Sequence, residues 1–249
     1  MSGHSKWSSI KHKKGAIDAK RGQLFTKLAR DIVMAARNGG GDVSMNAGLR
    51  LTVQKARDSN MPNDNIDRAI QKGIGGGESD ALMEITYEGY GPGGTAVMID
   101  AVTDNRNRTV ADIRAAFSRG GGNLGENGAV AWQFETRGVI EVEANGKDAE
   151  EVELAAIEAG ASDVSVDGAD IEVLTEPADL EAVRESLTKT GLKVVRAEIA
   201  RVPKITVELD EKHAIQMLKL LERLDDLDDV SRVSSNADFP DAVLAAANL

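Results

Sequence analysis

The chain has 249 residues and no cysteine, which excludes disulfide bonds, thiolate metal sites and thiol nucleophiles. Its 41% of hydrophobic residues can form one large core or two to three smaller ones, and its N-terminus lacks the apolar run of a signal peptide or membrane span. We therefore expect a cytoplasmic protein with no membrane partner, and only the net charge of −11 argues against nucleic acid as its ligand.

The positive charge is concentrated at the start of the chain. Residues 1–72 hold fourteen Lys/Arg and six Asp/Glu, a balance of +8, whereas the remaining residues hold sixteen and thirty-five, a balance of −19. This asymmetry predicts a polyanion-binding segment on an acidic body that repels phosphate. The alternative from charge alone is a solvated basic helix without a ligand.

Residues 1–17 are small, polar and basic, and we predict a basic arm that is flexible when free. Three helices follow, at about 18–37, 45–58 and 63–72, and glycine or proline signals end each of them. The apolar face of the first helix is expected to contain Leu24, Phe25, Leu28, Ile32 and Ala35. A basic stripe beside that face contains Lys20, Lys27, Arg30 and Arg37, and Asp31 interrupts it.

Strand patterns replace the helical periodicity after Gly77. A first unit has strands at 85–88 and 95–102, a helix at 109–119 and a strand at 129–135. A second unit has the order β-α-β-β-α-β, with strands at 139–143, 163–166, 170–174 and 193–201 and helices at 149–159 and 177–190. This order is typical of a ferredoxin-like domain. The chain closes with a strand at 205–209, a helix at 211–224 and a strand at 229–234.

These elements predict an α+β fold of three domains: an N-terminal three-helix domain and two α/β-sandwich domains. The unit at 79–135 is one helix short of a two-layer domain, and the C-terminal strand-helix-strand can supply that helix. We therefore predict a basic helical nucleic-acid-binding domain at 1–78, a discontinuous α/β domain at 79–136 plus 204–249, and an inserted ferredoxin-like domain at 137–203.

No motif in the sequence indicates catalysis. Two matches to G-x-G-x-x-G, at Gly89 and Gly120, lack the strand-to-helix context of a dinucleotide site and read as turns. His4 and His12 lie among lysines, which oppose metal binding. The acidic pairs Asp225-Asp226 and Asp228-Asp229 are interpreted as the solvated end of an exposed helix. We predict no catalytic residue, metal, cofactor or small-molecule substrate.

The basic arm and the start of the first helix carry the stronger signal. Six cations with a single intervening acid fall within sixteen residues: Lys6, Lys11, Lys13, Lys14, Lys20 and Arg21. Each can contact a phosphate and release a counterion. Trp7 can stack on an unpaired base, or it can pack the arm on the helices, and both interpretations are equally supported.

A second basic site joins a strand to a helix at Thr103–Thr109. Thr109 is expected to cap the helix, whose N-terminus attracts anions. Arg106 and Arg108 offer donors suited to phosphate, and Asn105 and Asn107 could bond base edges. The alternative is a structural turn in which the arginines pair with local acids such as Asp104 and Asp112.

Several motifs resemble the YebC/PmpR family, which includes the mitochondrial translational activator of cytochrome c oxidase subunit I. They are Gly3–Trp7, Asp18–Gly22, Phe25–Leu28, Met61-Pro62, Asn65-Ile66, Arg68–Ile70, Tyr87–Gly94, Thr103–Thr109, Gly121–Gly125, Gly128–Val130 and Asp228–Val230. They span nearly the whole chain in order, although the inserted unit contributes few of them. One departure is Val233–Asn236, which lacks an expected aromatic residue.

The resemblance implies three domains, no enzymatic activity and no cofactor. Its bacterial members are described as probable transcriptional regulators that bind DNA, which predicts a DNA-binding transcriptional regulator. The alternative is a ribosome-associated translation factor that relieves stalling, for example at proline runs, by binding ribosomal RNA or tRNA. A third hypothesis is a protein-interaction scaffold with a patch of Tyr87, Tyr90 and Pro92.

The predicted nucleic-acid contacts are His4, Ser5, Lys6, Trp7, Lys11, His12, Lys13, Lys14, Lys20, Arg21, Lys27, Arg30, Arg37, Arg106, Asn107 and Arg108.

Overall fold

The computed structural model describes residues 18–76, 81–144, 146–167 and 170–247. Within these ranges, no helix combines the length and the apolar character that crossing a membrane requires. The basic arm, residues 1–17, lies outside the described residues, so the flexible arm stays a prediction.

Three helices form the N-terminal domain: α1 at Asp18–Gly39, α2 at Ala47–Asp58 and α3 at Asn63–Gly75. Asn46 caps α2 by accepting a hydrogen bond from the Leu49 amide at 3.0 Å, so this helix begins two residues after the predicted Met45. Gly73 brings α3 close to α1, because a Cβ at this position would lie 2.6 Å from the Val33 carbonyl oxygen.

The apolar face of α1 differs in part from the predicted one. Leu28 and Ile32 are buried as expected, but Leu24 is 37% exposed. Val33 and Ala36 are buried instead, because α1 packs against both α2 and α3 and therefore buries more than one stripe.

The middle domain begins with β1 at Met83–Tyr90, β2 at Ala96–Thr103, α4 at Arg106–Gly120 and β3 at Asn123–Leu124. β1 and β2 form an antiparallel hairpin in which Met83 pairs with Thr103 and Tyr90 pairs with Ala96. The loop that precedes α4 therefore lies at one end of the hairpin, and Tyr90 lies at the other.

The inserted unit contains β4 at Phe134–Glu143, α5 at Ala149–Glu158, β5 at Asp163–Asp167, β6 at Asp170–Thr175, α6 at Leu180–Lys189 and β7 at Lys193–Pro203. Its sheet has the order β5-β6-β4-β7 with antiparallel neighbours, which is the ferredoxin-like arrangement.

One strand replaces two that were predicted at 129–135 and 139–143. β4 pairs with β7 along its length, from Phe134 opposite Pro203 to Glu143 opposite Lys193. A short 3₁₀ turn at Ala131–Gln133 precedes it. The predicted domain boundary after residue 136 therefore falls inside β4.

The chain ends with β8 at Val207–Glu208, α7 at Glu211–Asp225, β9 at Val230–Ser235, β10 at Ala237–Asp238 and α8 at Asp241–Ala247. β9 joins the edge of β2, which gives the sheet order β3-β1-β2-β9, and β8 pairs with β10 separately. The sequence analysis did not predict β10 or α8.

α7 packs beside α4 over one face of the middle sheet. Their shared core includes Ile113, Phe117, Met217, Leu220, Leu221, Ile99 and Val233. The C-terminal segment therefore completes the middle domain. The predicted α+β architecture, with a ferredoxin-like unit inserted in a discontinuous domain, is confirmed, and the residue boundaries of the domains stay a prediction.

Candidate nucleic-acid interface

The predicted contact residues are divided along the chain. Eight lie outside the described residues: His4, Ser5, Lys6, Trp7, Lys11, His12, Lys13 and Lys14. Lys20 and Arg21 lie at the start of α1, and Arg21 is exposed. Arg37 lies about 24 Å farther along the helix axis, with its Nη2 3.1 Å from Met34 Sδ.

The basic stripe of α1 contacts the acidic turn, residues 225–229, which follows α7. Lys27 Nζ donates a hydrogen bond to the carbonyl oxygen of Asp225, and Arg30 Nη1 donates to that of Asp228 at 2.8 Å. These carbonyls lie at and just beyond the C-terminus of α7, where the helix dipole favours cations. Lys27 and Arg30 therefore hold α1 on the middle domain, and a role for them in binding nucleic acid stays a prediction.

Gln23 extends this contact toward the start of α1. Its Nε2 donates to the carbonyl oxygen of Asp226 at 2.9 Å and to Asp228 Oδ1 at 2.8 Å. Gln23 follows Asp18 by five residues, which corresponds to about 8 Å along the helix axis. The middle domain therefore fixes the point from which the basic arm departs.

Asp229 is the buried centre of the same contact, with 7% of its side chain exposed. Its Oδ1 accepts a hydrogen bond from Arg30 Nη1 at 2.9 Å. Its Oδ2 accepts from Arg108 Nη2 and Thr109 Oγ1, both at 2.8 Å. Thr103 Oγ1 donates to the same oxygen at 3.1 Å. Burial alone would raise the pKa of Asp229, but the hydrogen bonds from Arg108, Thr109 and Thr103 and the charge of Arg108 outweigh it and hold the pKa below its usual value.

The interpretation of the acidic pairs as a solvated helix end is therefore wrong for Asp229. Asp226 and Asp228 are exposed, whereas Asp229 turns inward between α1 and the start of α4. Sequence alone gave no reason to separate it from its neighbours, because its partners come from positions more than a hundred residues away.

The loop before α4 is organised by Asn105. Its side chain accepts a hydrogen bond from the Arg108 amide at 3.1 Å, so Asn105 is the N-cap and the helix begins at Arg106. The prediction that Thr109 caps the helix is wrong. Thr109 is buried inside the first turns, where its hydroxyl donates to the Asp229 carboxylate and lies 3.0 Å from the Asn105 carbonyl.

The two arginines of this loop have different surroundings. Arg108 Nη2 contacts Asp104 Oδ1 at 2.8 Å as well as Asp229, and these hydrogen bonds raise the pKa of Arg108 above its usual value. For Arg108, this agrees with the alternative interpretation of the loop as a structural turn in which the arginines pair with acids. Arg106 and Asn107 are exposed, and Arg106 makes no hydrogen bond or ion pair with another residue in the described ranges.

The structure joins the basic stripe of α1 to the loop before α4. Arg30 from α1 and Arg108 from α4 share the carboxylate of Asp229. Arg106 lies two residues before Arg108, in the first turn of α4, and its side chain is exposed. Arg37 does not belong to this cluster, because it lies seven residues beyond Arg30, about 10 Å along the helix.

The predicted aromatic patch is wrong for two of its three members. Tyr87 is 9% exposed because it faces the core between the middle sheet and its helices, and Pro92 is buried in its turn. Only Tyr90, at 41%, is exposed. The sequence analysis missed Trp132, which is 67% exposed, because the apolar residues around it resemble a buried strand.

The three domains meet at Glu198 of β7, which is 8% exposed. Its carboxylate contacts Lys55 Nζ of α2 at 3.2 Å and Arg232 Nη2 of β9 at 3.0 Å. A cavity of about 440 Å³ opens beside these groups. In the part of the chain described by the structure, no group of three or more His, Asp or Glu side chains is placed to hold a metal ion.

Two family models match the chain. The model described as the TACO1/YebC protein N-terminal domain matches residues 5–76, and the model described as the TACO1/YebC second and third domain matches residues 82–237.

Relatives cover nearly the whole chain. A protein of Dehalococcoides mccartyi strain CBDB1, named a probable transcriptional regulatory protein, is 56% identical over 98% of this chain and 97% of its own length. A protein of Moorella thermoacetica with the same description is 53% identical over 98% of each chain. The crystal structure of a conserved hypothetical protein from Aquifex aeolicus, 45% identical, superposes with a TM-score of 0.83 over 90% of this chain and 93% of that one.

Proposed function

The chain belongs to the TACO1/YebC family, and from that premise we propose that it is a cytoplasmic regulator of transcription. In this proposal the basic arm binds DNA, and the protein acts by binding rather than by catalysis. Its relatives are named probable transcriptional regulatory proteins, which supports a regulatory role. The main support for the proposal is the basic segment from Lys6 to Arg21, which has six cations and one acid in a chain that is otherwise acidic.

The anchoring of α1 supports this proposal. Gln23 and Arg30 tie the helix to the acidic turn, so the arm leaves the body at a defined place. An acidic body beneath a basic arm repels a phosphate backbone and directs it toward the arm. The ligand is therefore expected to lie along the outer side of α1.

Arg106 supports a second contact, in the first turn of α4. A cation in the first turn of a helix is disfavoured by the helix dipole, and this one has no partner among the described residues to offset that cost. A phosphate at this position would be favoured both by Arg106 and by the dipole. An anionic ligand would therefore offset the cost of placing this arginine in the first turn.

A translation factor bound to ribosomal RNA or tRNA is the second candidate. It is favoured by the use of Lys27 and Arg30 within the molecule, because α1 then offers few side chains for reading bases in a major groove. A protein that contacts the phosphate backbone without reading the bases can bind RNA as well as DNA.

The test is the salt dependence of nucleic-acid affinity, measured by fluorescence anisotropy on duplex DNA and on a ribosomal RNA fragment. Lys11→Glu, Lys13→Glu and Lys14→Glu combined should weaken binding and lower the slope of log K against log salt by about 2.7, since three phosphate contacts are lost. The matched control makes the same charge change on the exposed lysines Lys189, Lys212 and Lys219 of the body and should keep the slope.

Binding by the arm variant with an unchanged salt slope would overturn the proposal. Sedimentation of a cell lysate through a sucrose gradient separates the two candidates. Co-migration with ribosomes that survives moderate salt and depends on the three arm lysines would favour the translation factor. Absence from the ribosomal fractions would favour the regulator of transcription.

A further inference from the structure

The loop at residues 125–133 is held rigidly by one buried carboxylate. Glu88 of β1 is 3% exposed, and its two oxygens accept hydrogen bonds from the amides of Gly128 at 2.7 Å, Val130 at 2.7 Å and Ala131 at 2.8 Å. Burial opposes ionisation of Glu88, but the three amides outweigh it and lower its pKa. The loop is therefore fixed before any ligand arrives.

Two aromatic side chains, Trp132 on this loop and Tyr90 at the end of β1, are fixed by one acceptor. Trp132 Nε1 donates to the Ala129 carbonyl oxygen at 3.2 Å, and Tyr90 Oη donates to the same oxygen at 3.0 Å. Their polar groups are thereby satisfied inside the protein, while 67% of Trp132 and 41% of Tyr90 stay exposed. An exposed indole with its N–H already bonded offers its ring to a partner rather than its hydrogen bond.

A lysine is bonded to the backbone next to Trp132. Lys204 donates its backbone amide to the Gln133 carbonyl oxygen at 2.8 Å, just beyond the Phe134–Pro203 pair that ends the β4–β7 ladder. Lys204 Nζ donates to the carbonyl oxygen of Trp132 at 3.1 Å. The next residue, Ile205, is 73% exposed. Aromatic rings beside an ammonium group complement a base beside a phosphate.

We propose that Trp132 and Tyr90 form a stacking platform for an unpaired base of single-stranded nucleic acid, with Lys204 meeting the adjacent phosphate. The platform consists of two aromatic side chains, whose exposed surface is far smaller than the roughly 800 Å² per partner that a stable protein interface buries. A base fits this size, and stacking on a fixed ring loses little side-chain entropy. This inference rests on the proposed function, which supplies the nucleic acid.

The platform is separate from the loop before α4. Tyr90 and the loop before α4 lie at opposite ends of the β1–β2 hairpin, whose eight residues span about 24 Å. Contacts at the two places can therefore be removed one at a time. Loss of the arm lysines changes the salt slope, whereas loss of a stacked base changes affinity without changing the slope.

The experiment measures binding of labelled single-stranded oligo-dT and oligo-rU by fluorescence anisotropy. Trp132→Ala should weaken binding by about 5- to 100-fold at an unchanged salt slope, and Trp132→Phe should retain most of the affinity. An abasic oligonucleotide should bind the wild type as weakly as the normal one binds Trp132→Ala. Leu154→Ala, which removes an equally exposed apolar side chain from the inserted domain, should change nothing.

The outcomes separate the two proposals. Equal affinity of the wild type and Trp132→Ala for single strands would overturn the platform. Binding of duplex through the arm without binding of single strands would overturn the platform and leave the proposed function standing. Failure of the wild type to bind any nucleic acid would overturn both. Trp132-dependent binding of either oligonucleotide supports the platform, and the preferred one identifies the strand as DNA or RNA.

Discussion

Asp229 connects residues that lie far apart in the chain. Its contacts distinguish the two arginines at the start of α4. Arg108 donates both Nε and Nη2 to this buried carboxylate, at 3.2 Å and 2.8 Å. The neighbouring Arg106 makes no hydrogen bond or ion pair within the described residues. The same turn of α4 therefore holds one arginine that serves the fold and one that is free to serve a ligand. The sequence could not separate them, because Asp229 is distant in the chain.

We expect Arg108→Ala to lower the free energy of unfolding by about 1–2 kcal/mol, because it leaves Asp229 with fewer donors and Arg108 itself is half exposed. Arg106→Ala should change stability by less than about 0.5 kcal/mol and should reduce the salt slope of binding by about 0.9. Chemical denaturation and anisotropy measure the two effects. Equal stability of the two variants would contradict the assignment.

The effect of Arg108→Ala should depend on pH. The folded pKa of Asp229 lies below its usual value of 3.8, so its stabilising contacts are fully present above that value and are lost as pH falls through the folded pKa. The difference in unfolding free energy between wild type and Arg108→Ala should therefore be largest near neutral pH and shrink as the pH falls below 3.8, through the folded pKa of Asp229. Arg106→Ala should show no such trend.

Among the elements, the loop at 125–133 depends on a single side chain of β1. Glu88→Ala leaves the amides of Gly128, Val130 and Ala131 without their acceptor and should cost about 3 kcal/mol. Hydrogen exchange of these three amides should accelerate, and the platform should lose its fixed geometry. Glu126→Ala, an exposed glutamate of the same loop, should leave their exchange unchanged.

Most elements could be predicted from sequence because their signals are local. Helical periodicity and the glycine and proline stops located α1 and α3, and alternation located the β1–β2 hairpin. The errors arose where distant pairing decides the outcome. β4 is one strand because β7 pairs with it throughout, and Asn105 replaces Thr109 as the cap because Thr109 faces Asp229. The exposure of Trp132 depends on Glu88, forty-four residues earlier.

At the scale of the whole molecule, Glu198 joins all three domains through Lys55, Arg196 and Arg232. Glu198→Gln keeps the shape of the side chain but removes the negative charge that these three cations share. The free energy of unfolding should therefore fall by about 3 kcal/mol. Calorimetry should then resolve unfolding of the domains into separate transitions. Glu143→Gln, which alters an exposed pair with Lys193, should shift stability by less than about 1 kcal/mol.

The discontinuous middle domain has a consequence for the order in which the protein forms during synthesis. The ferredoxin-like unit is complete once Pro203 has left the ribosome, and it can fold at that point. The β1–β2 hairpin and α4, although made earlier, must wait for α7 and β9, which begins at Val230. α1 also waits for the acidic turn that anchors it. The basic arm of a nascent chain is therefore synthesised long before the middle domain that anchors α1 has folded. Only nearly finished chains can hold α1 in its anchored position.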